Sequence, residues 1–222
     1  MDPLGNGALA QPCLPKYPWQ ARPSLCKNNL LSASHVPASC SCVLPHPPPE
    51  DDWRSVLSEI ADGLWVTGEP LTGNDAPLAE WERHGAATVL DVTDHGAPLV
   101  RPSSVRRMWV PTPDDASPRE ASWMAAVLAV EGPVVVHCHM GVARAPSVAF
   151  GLLLRRGLSA RDALELVMRQ RPIAAVDYAP DFTAFHFGVD IDDPRVVEVE
   201  QLRARLLTET RLALLAAAAP PA

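Results

Sequence analysis

The sequence predicts an α/β protein built on a central, mainly parallel sheet of four to five strands flanked by helices. Three observations predict it. Residues 133–137, Pro-Val-Val-Val-His, form an unbroken apolar run of the kind buried on both faces in mid-sheet. Residues 87–92, Ala-Thr-Val-Leu-Asp-Val, form a second, β-branched run. Ala160, Ala163, Leu164, Val167 and Met168 then recur at i, i+3, i+4, i+7 and i+8, the spacing of one helix face. Strands that alternate with helices imply layers around one sheet.

In chain order, residues 53–60 read as a short helix and residues 63–67, Gly-Leu-Trp-Val-Thr, as the first strand. Residues 75–84 read as a helix closed by Gly85, since glycine accepts the left-handed conformation that ends helices. The strand at 87–92 follows, and then one at 107–110 that Pro111 and Pro113 stop. Residues 117–130 suit a helix, with Pro118 in the first turn where no N–H is needed. After the strand at 133–137, a helix spans 144–156 and ends at Gly157. The striped helix at 160–168 is stopped by Arg171-Pro172. Its stripe is core packing, and Arg155 and Arg156 form a solvated helix end. Residues 194–215 give a last helix of mixed charge, followed by a frayed Ala/Pro tail.

Composition divides the chain. Residues 1–49 hold many of the 24 prolines and no sustained apolar period, which predicts a disordered head. A domain over 50–190 and a C-terminal helix and tail over 191–222 follow. The net charge of −7 and a pI near 5.4 argue against nucleic acid or an acidic membrane as partner. No apolar run reaches the roughly 20 residues that cross a bilayer, and residues 212–219 are stopped by Pro220-Pro221. The opening residues lack a basic leader with an apolar core, so cytoplasm is the expected location. Of five cysteines, Cys13, Cys26, Cys40 and Cys42 lie in the head and Cys138 stands alone in the domain. An isolated thiol in a reducing compartment suits a nucleophile better than a disulfide framework. Cys40 and Cys42 with His35 and His46 match no common zinc spacing, so no metal or cofactor is expected.

The segment from Val134 to Ser147 carries the chemistry: Val-Val-Val-His-Cys-His-Met-Gly-Val-Ala-Arg-Ala-Pro-Ser. It reads strand, tight loop, helix. Backbone N–H groups between a strand end and a helix N-terminus make an anion site at the positive end of a dipole. Arg144, six positions after Cys138, adds a fixed cationic fork for two oxygens of a tetrahedral anion. Gly141 supplies the special backbone angles of such a nest, and the positive surroundings favour the reactive thiolate of Cys138. His139, Met140, Val142 and Ala143 complete the cradle through their backbone, and His137 is placed to order the loop by hydrogen bonding.

His137-Cys138-x-x-Gly141-x-x-Arg144 on strand–loop–helix resembles the signature of the cysteine-based protein tyrosine phosphatases, and the compact size resembles their dual-specificity branch. The resemblance extends over about residues 55–188. It implies hydrolysis of phosphate monoesters through a phosphocysteine intermediate, with no metal, on phosphorylated protein or small phosphate esters. It also implies an upstream aspartate as proton donor. Residues 110–116 stand where that loop belongs, Trp123 falls where the next helix often has a tryptophan, and this anchor favours Asp114 over Asp115. Members usually carry Ser or Thr after the arginine, where this chain has Ala145, which implies slower breakdown of the intermediate.

His95, after the strand at 87–92, reads as a plain surface turn in preference to a pocket rim. With His139 the only cation candidate inside the loop besides Arg144, simple monoesters are favoured over lipid, sugar or nucleotide phosphates. A catalytically weak phospho-binding module is the reading from a different class. Physiological substrate and oligomeric state are not legible.

Overall fold

The computed structural model describes residues 53–70, 76–96, 104–115 and 119–218. The head expected at 1–49, its cysteines, Pro118 and the last residues of the tail lie outside the described residues. The elements are β1 (Ser58–Ala61), β2 (Leu64–Gly68), α1 (Ala76–Arg83), β3 (Thr88–Asp91), β4 (Arg106–Trp109), α2 (Ala121–Leu128), β5 (Val134–Cys138), α3 (Arg144–Arg155), α4 (Ala160–Gln170), α5 (Ala179–Phe187) and α6 (Pro194–Ala218). The five strands lie in the order β1-β2-β5-β3-β4. Only β1 with β2 is antiparallel; β2–β5, β5–β3 and β3–β4 are parallel. This is the mainly parallel α/β sheet the sequence predicts.

Strand alternation builds the two faces. Leu64, Val66, Leu90, Val92, Val134, Val136 and Cys138 share one core cluster with Met124, Val148, Leu164 and Phe182 from α2 to α5. Trp65, Val89 and Val135 point the other way and pack with Leu78 and Trp81 of α1. Gly151 lets α3 approach α5 closely: an added Cβ would meet the Phe182 ring. The stripe of α4 is core, with Ala163, Leu164, Val167 and Met168 buried. The first turns of α6 bury Val196, Val199 and Leu202, whereas Leu212 and Leu215 are exposed.

The structure departs from the expectations at four places. Residues 53–60 are not a helix: one short turn at 53–54 precedes β1. Gly63, with φ +67°, turns β1 back onto β2, and this pairing overrides a weak local preference for helix. The helix expected at 117–130 is α2, beginning at Ala121. Helix α5 is additional, started by Pro180 in its first turn and closed by Gly188 with φ +63°. Its aromatic-rich sequence has no one-faced stripe, so periodicity gives no signal. Arg155 and Arg156 are not a free helix end either. They donate to the carbonyls of Val130, Asp62 and Gly63, tying α3 to loops on the sheet.

Register sets up the site. Gly68 lies beside Cys138, and Asp91 beside both His137 and Trp109. The carboxyl ends of the four parallel strands are therefore level. The segments that leave them, at 69, 92–96, 110–115 and 139–143, share one edge, where ligands bind in open parallel sheets.

Candidate active site

The loop from Cys138 to Arg144 is held by its carbonyls. The N–H of Glu69 donates to His139 O at 3.0 Å, and the N–H of Ala175 to Val142 O at 2.8 Å. Arg171 Nη2 donates to Met140 O at 3.3 Å and Arg171 Nε to Gly141 O at 2.6 Å. Ser147 Oγ and N–H both donate to Ala143 O. All five carbonyls between the cysteine and the arginine thus turn outward to donors in the body. The backbone N–H groups of residues 139–144 have no acceptor among the described residues. His139 and Met140 are exposed and Val142 and Ala143 half-buried, so these donors are open to solvent or to a bound anion. A ring of them around a thiol at a helix N-terminus is the arrangement that takes an oxyanion.

Gly141 is required twice here. Its φ is +69°, and an added Cβ would stand 2.7 Å from Thr67 O. Cys138 lies at the cradle's floor and is buried. Arg144 is only 3% exposed in its side chain. Its Nη1 donates to Thr112 O at 2.9 Å, Nη2 stands 3.2 Å from Asp114 Oδ2, and Asp94 Oδ1 is 3.8 Å from Nη1. Its buried Nε has no partner among the described residues. One edge of the fork is fixed on Thr112 while Nε remains for an anion.

Arg171, which the sequence presents only as a helix stop, supports the cradle from below. It is fully buried and also donates to Val56 O, Ser58 Oγ and Trp53 O. Burial pulls its guanidinium down to about 10, which leaves it charged at neutral pH.

The 110–115 segment is pinned on both sides. Trp123 Nε1 donates to Thr112 Oγ1 at 2.9 Å, and the Tyr178 hydroxyl donates to Asp115 O at 2.9 Å. Burial pushes the Tyr178 phenol up to about 12, so it stays a donor. The Asp115 carboxylate pairs with Arg119, whose guanidinium lies 4.3 Å from the centre of the Tyr178 ring. Asp114 is the carboxylate left beside Arg144, and it is exposed. Ala145 is fully buried and brings no hydroxyl to the cradle. The next hydroxyl, on Ser147, is occupied by Ala143 O and the Tyr178 N–H.

His137 does not play the part expected of it. Neither ring nitrogen has a hydrogen-bond partner among the described residues, and the ring stacks on Trp81 at 5.8 Å between centroids. Strand alternation turns it to the α1 face, away from the loop. Desolvation pushes it down to about 4 against the attraction of Asp91, whose Oδ2 is 4.0 Å away. The folded value lies below the unfolded value of about 6.5, so between the two the unfolded chain binds more protons. Acidification from pH 6.5 towards 4 is expected to reduce stability by roughly 1.4 kcal/mol per unit from this group. Urea unfolding of His137→Phe over that window should lack this part of the slope.

His95 is more than a surface turn. Its Nδ1 lies 2.8 Å from Asp94 Oδ1 and its Nε2 2.9 Å from Glu69 Oε1. Glu69 also takes His139 Nδ1 at 3.0 Å and Arg54 Nη2 at 3.4 Å. Bonds from Glu69 and then Asp94 raise His95 above the usual imidazole range. Partial burial opposes ionisation of Glu69, but the bonds from His95 and His139 outweigh it and lower its carboxyl. The bond from His95 lowers Asp94 as well. Met140 is exposed and Val142 half-buried, with no charge of their own. Among the described residues, no group of three or more His, Cys, Asp or Glu is placed to hold a metal ion, and no helix is long and apolar enough to cross a membrane.

No family model and no curated protein matches the chain. Solved structures do. DUSP15 is 18% identical, with 68% of this chain and 94% of that one covered at a TM-score of 0.47. Human DUSP28 is 22% identical, with 60% and 93% covered at 0.46. TpbA of P. aeruginosa is 23% identical, with 68% and 89% covered at 0.46. All three scores lie below 0.5, and the site's own geometry carries the reading that follows.

Proposed function

We propose that this chain is a cysteine-dependent phosphoric monoester hydrolase of the protein tyrosine phosphatase kind, acting on phosphorylated protein or simple phosphate esters. The observation that carries it is the cradle. Five loop carbonyls face outward, six N–H groups have no acceptor among the described residues, and Cys138 and Arg144 stand at its two ends. Consecutive N–H groups turned to one side, beside a thiol and a guanidinium at a helix N-terminus, suit a tetrahedral oxyanion.

In this reading the phosphoryl group sits among the amides of residues 139–144, with Arg144 bridging two of its oxygens. The Cys138 thiolate attacks phosphorus in line. The S–P bond forms, the P–O bond to the leaving group breaks, and protonated Asp114 gives its proton to the departing oxygen. Asp114, now a carboxylate, takes a proton from water, and that water attacks phosphorus and expels the thiolate. The donors are preorganised before charge develops, so electrostatic stabilisation supplies most of the acceleration. Every step is made by side chains and water, so no metal is called for. A thiolate nucleophile requires reducing surroundings, which fits a cytoplasmic location.

The loop's side chains favour simple monoesters over highly anionic substrates. His139 Nδ1 is engaged by Glu69, and Met140, Val142 and Ala143 carry no charge. The missing hydroxyl at Ala145 is expected to slow release of the thiolate, so the phosphocysteine accumulates. Rapid acid quench during turnover followed by mass measurement should find one phosphoryl group on the peptide holding Cys138. Ala145→Ser should reduce that fraction several-fold and raise turnover. A phosphoryl group on any other residue, or none in either protein, would contradict this reading.

A further inference from the structure

We propose that His95 is a positioning residue of the anion site: clasped as an imidazolium between Asp94 and Glu69, it neutralises the carboxylates that flank Arg144 and the loop, and so ties anion affinity to its own protonation. This rests on the reading of residues 138–144 as a phosphate cradle. Both ring nitrogens face a carboxylate oxygen, at 2.8 and 2.9 Å. A neutral imidazole has one N–H and one lone pair, and a lone pair against a carboxylate oxygen at that distance is repulsive. Only the imidazolium donates to both.

The groups that face the clasp come from four elements. Asp94, on the same turn as His95, reaches Arg144 at 3.8 Å. Glu69, after β2, joins the clasp to the cradle through its carboxylate on His139 and its N–H on His139 O. Arg54 holds Glu69 from the N-terminal side through its carbonyl and its carboxylate. Asp114 approaches Arg144 from the 110–115 segment. Glu69, Asp94 and Asp114 are thus set against Arg54, His95, His139 and Arg144. With His95 charged, Asp94 is compensated and no longer competes with a dianion for Arg144. The raised His95 value is fully expressed at lower pH, and the proton is lost as pH rises through it. Asp94 then has Arg144 as its remaining cation, and it both competes with and repels the incoming anion. Asp94 is exposed, so water screens it, and at a water-like dielectric one such uncompensated charge roughly 8 Å from a dianion weakens its binding by about fivefold.

The test uses sulfate, a tetrahedral dianion throughout the window, and calorimetric binding to full-length Cys138→Ser protein, which removes thiol titration and turnover. Cys138→Ser should bind about fivefold more weakly at about pH 8.5 than at about pH 6. Adding His95→Gln should leave binding weak at both pH values, with the pH dependence gone. Adding Asp94→Asn should have the opposite sign and keep binding tight at both. A purely structural effect of the histidine would not be reversed at Asp94. If His95→Gln retains the parental pH dependence, or Asp94→Asn tracks Cys138→Ser, the inference is overturned while the cradle stands. If Cys138→Ser binds no sulfate at any pH, the inference falls together with the reading beneath it.

Discussion

Arg171→Met is expected to lower stability by about 3–5 kcal/mol and to abolish anion binding at temperatures where the variant remains folded. Methionine fills part of the volume but donates nothing. Trp53 O, Val56 O, Ser58 Oγ, Met140 O and Gly141 O would all lose a buried donor together. Two of those acceptors are loop carbonyls whose outward turn faces the amides of residues 139–144 into the cradle. Released, they are free to rotate, and the donors lose their shared direction. The loss is a large part of the 5–15 kcal/mol that holds a typical domain. Urea unfolding reads the first effect, and tungstate binding to the folded variant reads the second. Arg171→Lys should recover a minority of each, because one ammonium cannot reach acceptors on both the loop and residues 53–58. A midpoint shift equivalent to less than about 1 kcal/mol, with binding intact, would show that the loop does not depend on this arginine.

Asp114→Asn is expected to separate turnover from binding. Turnover should fall by about 10²–10⁴-fold, most for substrates whose leaving oxygen needs a proton and least for p-nitrophenyl phosphate. Anion affinity should rise at the same time, because a carboxylate 3.2 Å from Arg144 no longer competes for it. Asp115→Asn should change either quantity only a few-fold, since that carboxylate is paired with Arg119 and its carbonyl is held by Tyr178. Steady-state turnover and tungstate inhibition on the two variants check both signs. Equal losses in the two, or weaker binding in Asp114→Asn, would place the proton donor elsewhere.

What was legible in the sequence follows the range of the interactions. The cradle is seven contiguous residues whose roles are set by backbone direction and one glycine, so residue order alone displays it. β2, β3 and β5 were legible because burial on both faces leaves continuous apolar runs, whereas the largely exposed β4 was marked by the prolines that follow it. β1 was not, because four residues alternating between buried and exposed acquire their pairing only from β2. Arg171 and Glu69 were hidden for a different reason. Arg171 contacts Trp53 across 118 residues, and Glu69 contacts His139 across 70, and no local pattern marks either. His137 misled because its neighbour in sequence points to the opposite face of the sheet. Asp114 and Asp115 were separated in sequence only by an anchor at Trp123; the pairing of Asp115 with Arg119 supports the proposed choice of Asp114.

The most direct test of the central claim is turnover of p-nitrophenyl phosphate in the presence of EDTA, from about pH 5 to 8, by the parent beside Cys138→Ser and Arg144→Lys. The parent should turn over the ester at a rate that EDTA does not touch. Cys138→Ser should show none above background, and Arg144→Lys a loss of at least about 10²-fold, because a point charge cannot replace the bidentate fork. Turnover that survives in Cys138→Ser, or a parent that neither turns over the ester nor binds tungstate, would contradict it.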